Sequence, residues 1–287
     1  MILVADSGSS KCDWIVTDGK NQTLLSTMGF NPFFHNTDII AAKMIEAGLG
    51  DYAGETKKVF YYGAGCSSPE FNLVVRKAIS SVFPHSEVYV DHDLAGAAHA
   101  TCDHKPGIAC ILGTGSNSCY FDGENIIEKI PALGYILGDE GSGAYFGKKL
   151  LAAYLYNRLP PKIYKNFQDH YNISKKEIFE NVYMKPNANV YLASFMRFLS
   201  GLRDDVQVRE MIYQGFSDFI RIHVWCYENN REVPVHFVGS IAHYFEDLLR
   251  HACRVHHLTL GNILKQPVYA LVNYHLQNEG IIAADAR

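Results

Sequence analysis

Short apolar runs separated by glycine-bearing turns open the chain. Residues 2–5 (ILVA) form a continuous apolar run of strand length. Asp6, Ser7, Gly8 and Ser9 then make a turn, and residues 14–17 (WIVT) read as a returning strand. Asp18, Gly19 and Asn21 supply a second turn, after which residues 23–28 predict a third strand. Beyond Asn36 and Thr37, which suit helix caps, the apolar spacing becomes helical through IIAAKMIEAGLG and stops at Gly48 or Gly50. VFYYGAG is a buried strand. Ser67 and Glu70 predict a capping box, with Pro69 in the first turn, for a helix to about Val82. EVYVDHD predicts a further strand and LAGAAHATC a further helix. The order βββαβαβα predicts a mixed sheet covered by helices.

At Gly107 the pattern restarts. GIACILG reads as a strand, TGSN as a turn, SCYFDG as a strand and NIIEKI as a third strand. Laying Ser7, Gly8, Ser9 and Ser10 over Thr114, Gly115, Ser116 and Asn117 matches a strand before and a strand after in both copies, which predicts an internal duplication. The polar stretch 103–106 reads as a hinge, giving two α/β domains, 1–105 and 106–287. The second copy carries a helix-rich insertion from Ala144 to about Glu228, including the amphipathic run VREMIYQGFSDFIRIHVWCYE. VPVHFVGS then resumes as a strand, AHYFEDLLRHACRVHH as a helix, LTLGNIL as a strand and VYALVNYHLQ as a last helix that packs back on the first domain.

With 287 residues, 48% of them hydrophobic, the chain is long enough to bury two cores. A net charge of -4 with scattered Lys and Arg leaves no footprint for nucleic acid or an anionic membrane, so a small-molecule partner is expected. The start MILVADSGSS lacks a basic leader and a long apolar run, which predicts a cytoplasmic protein. Seven cysteines without a C-x-x-C pair read as reduced core thiols, not as zinc or iron–sulfur ligands.

The chemistry gathers at the turns. Gly8 offers backbone amides free of a Cβ, flanked by Ser9, Ser10 and Lys11, in a loop that can wrap phosphate oxygens. Asp6 beside such a phosphate is tolerable if a divalent cation intervenes, which implies magnesium. Thr114, Gly115 and Ser116 repeat the device, and two such loops would hold the phosphates of one nucleotide. An ordinary hairpin turn also favours glycine and serine. Neither loop is a P-loop, since G-x-x-x-x-G-K-[ST] is absent, and neither is a dinucleotide fingerprint, since a strand follows instead of a helix. Asp93, read as the end of the strand EVYVDHD, would emerge at a sheet's carboxyl edge as the base for a hydroxyl, or else cap the next helix, and Asp91 shares the neighbourhood. LGDEGSG sets Asp139 before a helix starting near Ser142, where an ionised carboxylate accepts hydrogen bonds from sugar hydroxyls. Gly239 and Ser240, between a buried strand and a helix, stand where backbone meets adenine or ribose.

With GTGSN and LGDEGSG in place, the chain resembles the N-acetylglucosamine kinase family, grouped with the activator ATPases of 2-hydroxyacyl-CoA dehydratases in the actin, hexokinase and heat-shock chaperone superfamily. The resemblance implies two ribonuclease H-like domains with ATP in the cleft, phosphoryl transfer to the 6-hydroxyl of an amino sugar, and a homodimer. By motif match it implies that Asp6 organises magnesium, that Gly8, Ser9, Ser10, Thr114, Gly115 and Ser116 contact phosphate, and that Gly239 lies on the adenosine side. The catalytic aspartate of an Asp-x-Ala-Gly context falls on Asp93, and the sugar ligands fall on Asn31 of GFNP and Asp139 of GDEG. The first loop reads DSGSSK where the family usually has D-G-G-G/S-T-K, and GAGCSSP gives no clear match to a further sugar contact. An activator ATPase bridging an iron–sulfur cluster, or a sensor that binds without turnover, are the alternatives; retention of Asp93 and Asp139 counts against the sensor.

Overall fold

The computed structural model describes residues 1–282, so the last five positions of the expected second domain lie outside it. Its strands are β1 (Ile2–Ser7), β2 (Lys11–Thr17), β3 (Gln22–Met28), β4 (Lys58–Gly63), β5 (Glu87–His92), β6 (Gly107–Leu112), β7 (Ser116–Phe121), β8 (Ile126–Ile127), β9 (Val235–Val238) and β10 (Leu260–Leu264). They form two five-stranded sheets, β3-β2-β1-β4-β5 and β10-β9-β6-β7-β8. Read from the other end, the second order is β8-β7-β6-β9-β10. Each sheet is therefore a meander of three strands joined at its first strand to two later ones, and the duplication suggested by the two glycine turns is a duplication of sheet topology. By contacts the chain divides into two compact units, residues 1–109, 119–127 and 264–282 in one and residues 110–118 and 128–263 in the other.

In the first unit β1 runs antiparallel to β2 and parallel to β4, and β4 runs parallel to β5. Alternation sends Leu3, Ala5, Trp14 and Tyr61 to one face, where helices α1 (Thr37–Glu46) and α2 (Pro69–Val82) cover them through Ile40, Met44, Val75 and Ile79. Ile2, Val4, Ile15, Phe60 and Tyr62 point to the other face. Helix α3 (Asp93–Cys102) covers it together with the last helix (Val268–Asn278), which contributes Val268, Leu271, Val272 and Leu276. Each such side chain contributes about 1.5–3 kcal/mol on burial, so both faces are needed to hold the sheet flat against its helices.

Local rules explain most boundaries. Asn36 caps α1 by accepting the Ile39 N–H at 3.0 Å, and Ser142 caps the helix Gly143–Leu155 by accepting the Tyr145 N–H. Three expectations shift. The cap of α2 is Ser68, not Ser67, because Pro69 takes the first helical position. The strand expected over NIIEKI is only Ile126–Ile127, paired with Tyr120 and Phe121. Finally, β5 ends at His92, and Asp93 is the first residue of α3.

Helix α3 meets the sheet at Gly96. A Cβ there would stand 2.9 Å from the Tyr62 Cβ, so glycine sets the approach of this helix. Gly96→Ala adds about 1 kcal/mol of helix propensity but overpacks the crossing, at a cost of about 1–3 kcal/mol. We expect urea unfolding to show a net loss of stability; a more stable variant would mean that α3 can step back from Tyr62 without penalty.

Candidate active site

The parallel strands β1, β4 and β5 end in register, Ser7 beside Gly63 and Gly63 beside His92. The Gly8 turn, the Gly65 turn and Asp93 therefore leave the same carboxyl edge, the place where ligands gather on open α/β sheets. Across that edge runs a row of register partners, Asp13, Asp6, Tyr62 and Asp91.

Asp6 and Asp13 face each other on antiparallel strands, and their electrostatics differ. The Asp13 carboxylate is buried, lies 2.7 Å from Lys11 Nζ, and accepts hydrogen bonds from Ser26 Oγ at 2.9 Å and Gln266 Nε2 at 3.0 Å. Lys11, expected at the phosphate, is thus engaged with Asp13. Burial, and then the negative charges of Asp93 and Asp13, push the Asp6 carboxyl up to about 7. Asp93 is near enough to act on Asp6, and also on Cys66, whose thiol burial and the neighbouring acids raise to about 12. The alternative role of Asp93 as a helix cap is filled by its neighbour: His92 Nδ1 accepts the Ala95 N–H at 3.3 Å.

The first loop is open. The Gly8 N–H donates to the Lys11 carbonyl at 3.0 Å, Gly8 and Ser10 are exposed, Ser9 is half-buried, and a Cβ on Gly8 would meet nothing closer than 3.8 Å. Nothing within the fold demands glycine there. Gly29 lies so close to the backbone of Gly8, Ser9 and Lys11 that it leaves no room for a Cβ, which brings the strand-end segment carrying Asn31 onto this loop. Asn31 Oδ1 accepts the Phe33 N–H at 2.9 Å and would be 2.7 Å from a Cβ on Gly65. The GAG turn thus packs against the Asn31 carboxamide.

In the second unit the Thr114–Ser116 loop is tied down. Gly113 and Thr114 carbonyls accept the N–H groups of Gly143 and Ala144, at the start of the helix capped by Ser142. The Ser116 N–H donates to Asp139 Oδ1 at 3.2 Å and Ser116 Oγ to the Glu140 carbonyl at 2.8 Å. Both Ser116 donors thus point into the 139–140 loop. Asp139 is buried in left-handed backbone (φ 60°), and burial raises its carboxyl despite the Ser116 bond. Glu140 reaches His223 Nε2 at 3.2 Å. Gly239 has φ 116°, and a Cβ there would run into the Leu112 carbonyl, so the fold itself requires this glycine; Ser240 is exposed at the start of the next helix.

Asp6, Asp93, Asn31 and the Gly8–Lys11 turn are thus gathered at one sheet edge of the first unit, and Thr114–Ser116, Asp139 and Gly239 belong to the second. Sequence reasoning passed over Asp13, which the alternation of its strand marks only as an outward residue. It also missed the histidines under Tyr62, whose hydroxyl lies 3.0 Å from both His99 Nδ1 and His275 Nε2. Burial depresses these imidazoles to about 4 and about 3. Six of the seven cysteines are buried and none forms a disulfide.

Two sheets of one topology, each with a glycine turn between its first two strands and acids at the edge, define a ribonuclease H-like, actin-type ATPase fold as used by sugar kinases. A solved structure of a candidate N-acetylglucosamine kinase from Porphyromonas gingivalis matches with a TM-score of 0.92 and 37% identity, over 97% of this chain and 100% of that one. The chain belongs to the N-acetylglucosamine kinase family. A candidate N-acetylglucosamine kinase from Chromobacterium violaceum (TM-score 0.67, 17% identity, 95% of this chain and 98% of that one) shares the fold. So does a candidate N-acetylmannosamine kinase from Listeria monocytogenes (0.53, 15%, 97% and 99%). No family model and no curated protein matches the chain.

The raised Asp6 carboxyl has a definite sign in stability. The unfolded chain loses this proton near 3.8 while the folded chain keeps it to about 7, so stability falls as pH rises through that window and the deficit persists above it. His99 and His275 act oppositely: their depressed values remove stability as pH falls below about 6.5. Asp6→Asn should therefore raise the unfolding free energy at pH 8 by on the order of 1 kcal/mol or more and leave it nearly unchanged at pH 4. An equal effect at both pH values in thermal or urea unfolding would contradict the burial of a protonated Asp6.

Proposed function

We propose that this chain is an ATP-dependent kinase that transfers the γ-phosphoryl group to the 6-hydroxyl of N-acetylglucosamine or a related amino sugar. The observation that carries the reading is the meeting of Asp6 and Asp93 at the carboxyl edge beside the open Gly8 turn, in a chain of this family. Asp93 takes the hydroxyl proton as it attacks the γ-phosphoryl group. Asn31 and Asp139 hydrogen-bond the sugar hydroxyls and set the attack angle. Gly8, Ser9 and Ser10, with Lys11 once it leaves Asp13, receive phosphate oxygens at the first loop; Thr114 and Gly115 do so at the second, where Ser116 holds the loop to Asp139 and Glu140. Gly239 and Ser240 lie on the adenosine side.

Magnesium belongs to the same reading. A carboxyl that burial and two acids push toward protonation is one that a divalent cation would ionise, and this fits Asp6. Among the described residues no three His, Cys, Asp or Glu side chains assemble a metal cage, which suits an ion that keeps waters and phosphate oxygens as most of its ligands. When bound, magnesium neutralises charge on the β- and γ-phosphates. A cytoplasmic homodimer completes the proposal on family grounds. Burial of the cysteines disfavours the iron–sulfur activator reading.

The test is a coupled assay of the full chain with ATP and magnesium across N-acetylglucosamine, N-acetylmuramic acid, glucosamine and glucose. Asp93→Asn should lower kcat by about 10²–10⁴-fold while ATP affinity, measured by calorimetry, is kept. Parental turnover in that variant would remove Asp93 from the mechanism, and a parent inactive on every sugar would remove the kinase reading.

A further inference from the structure

The helices of the second unit enclose a cavity of about 590 Å³ that the proposed reaction does not use. Its walls come from the helices Gly134–Leu137, Gly143–Leu155, Lys175–Phe179 and Ala188–Ser194 and from the π-helical turn Glu180–Met184. The volume falls within the range of small-molecule sites, roughly 300–1,000 Å³. π-helical turns are rare and concentrate at functional places. The lining is aliphatic and aromatic, with Leu151, Leu155, Ile178 and Phe179 among it, and its only two charged side chains are both cations, Lys148 and Lys175.

Among the described residues neither cation is in a direct ion pair with a carboxylate, although Lys148 acts on Asp139 from a distance. Lys148 is half-buried and its Nζ donates to the Tyr135 carbonyl at 2.8 Å, while Lys175 Nζ lies 5.3 Å from the centre of the Phe179 ring. The next lysine along, Lys176, does pair with a carboxylate, Glu180. At the cavity mouth Ile136, Tyr156 and Tyr183 are 69%, 74% and 74% exposed. Large side chains left this open at the rim of an apolar cavity mark a place where something docks. Apolar walls whose charged groups are two ammonium groups and no carboxylate select the charge of that occupant: it must be negative at one end and apolar along the rest.

We propose that this cavity is a binding site for a small amphipathic anion, its apolar chain lying on Leu151, Leu155, Ile178 and Phe179 and its carboxylate or phosphate reaching Lys148 or Lys175. A second copy of the chain is the competing occupant, which sedimentation distinguishes from the anion.

Octanoate, octyl phosphate and octylammonium, titrated calorimetrically into the full chain, separate the alternatives. We expect one equivalent of octanoate or octyl phosphate to bind, and octylammonium, with the same tail and the opposite charge, to bind at least about tenfold more weakly. Lys175→Met should weaken octanoate about tenfold. Ala152→Phe, at an exposed lining position, should fill the space and abolish binding while the unfolding midpoint stays at the parental value. The proposal is overturned by no binding of either anion, by equal binding of octanoate and octylammonium, or by parental binding in a folded Ala152→Phe. A dimer in sedimentation that Tyr156→Lys dissociates, without octanoate binding, would overturn it in favour of an interface between copies.

Discussion

The first unit is organised around an electrostatic conflict, two carboxylates directly opposite each other on neighbouring strands. Like charges in that position destabilise a sheet, yet Asp6 and Asp13 occupy it at the buried end of a core face. Asp13 is relieved by Lys11, Ser26 and Gln266. Relief of one partner leaves the other exposed to the conflict: Asp6 has Asp93 as its further neighbour and holds its proton far above the usual carboxylate range. A protein selected for stability alone would replace Asp6. On the proposed function its presence answers to a cation that arrives from outside, and such costs are characteristic of places where function opposes stability.

That conflict can persist because the edge is rigidly mounted. Gly96 lets α3 sit directly on Tyr62, and the Tyr62 hydroxyl bridges an imidazole from α3 to one from the last helix. The Phe60 ring stacks on His275 with centroids 3.7 Å apart, and Tyr274 stacks on His99. Two neutral histidines thus sit beneath the acids without compensating them. The Ala-Gly that follows Asp93 by two residues has a packing reason, since Ala95 is fully buried and Gly96 is the contact point. Moving α3 would move Asp93 with it.

What the sequence disclosed follows from the range of the interactions involved. Strand runs, glycine turns and helix caps depend on neighbours a few residues away, so the meander, the repeated turn and the start of α3 were all legible to within a residue or two. Asp13 was not. In the run Lys11-Cys12-Asp13-Trp14, alternation marks Asp13 as the outward residue, and it becomes buried because the last helix, some 250 positions later, covers that face. The Tyr62, His99 and His275 contact fails to show for the same reason. The family motifs identified candidate ligands, but the sequence could not tell that Ser116 turns its donors inward or that Gly239 is demanded by the Leu112 carbonyl.

The two glycine loops, alike in sequence and in place within their sheets, differ in how they are held. The Gly8 turn is held by the Gly8–Lys11 backbone bond and by Gly29 packed on its backbone, and it leaves open space where a Cβ on Gly8 would go; on the proposed function that open side is where a phosphate would enter. The Thr114 loop is fixed on three sides: by the helix start at Gly143 and Ala144, by the Asp139 carboxylate on Ser116 and by the Glu140 carbonyl. Fixed donors stabilise a charge without reorganising. Duplication of the topology has therefore not duplicated the physical role. The rigid copy is built around Asp139, whose carboxylate would stand only 3.0 Å from a Cβ on Gly115. Glycine at that position is what allows the loop and the acid to coexist.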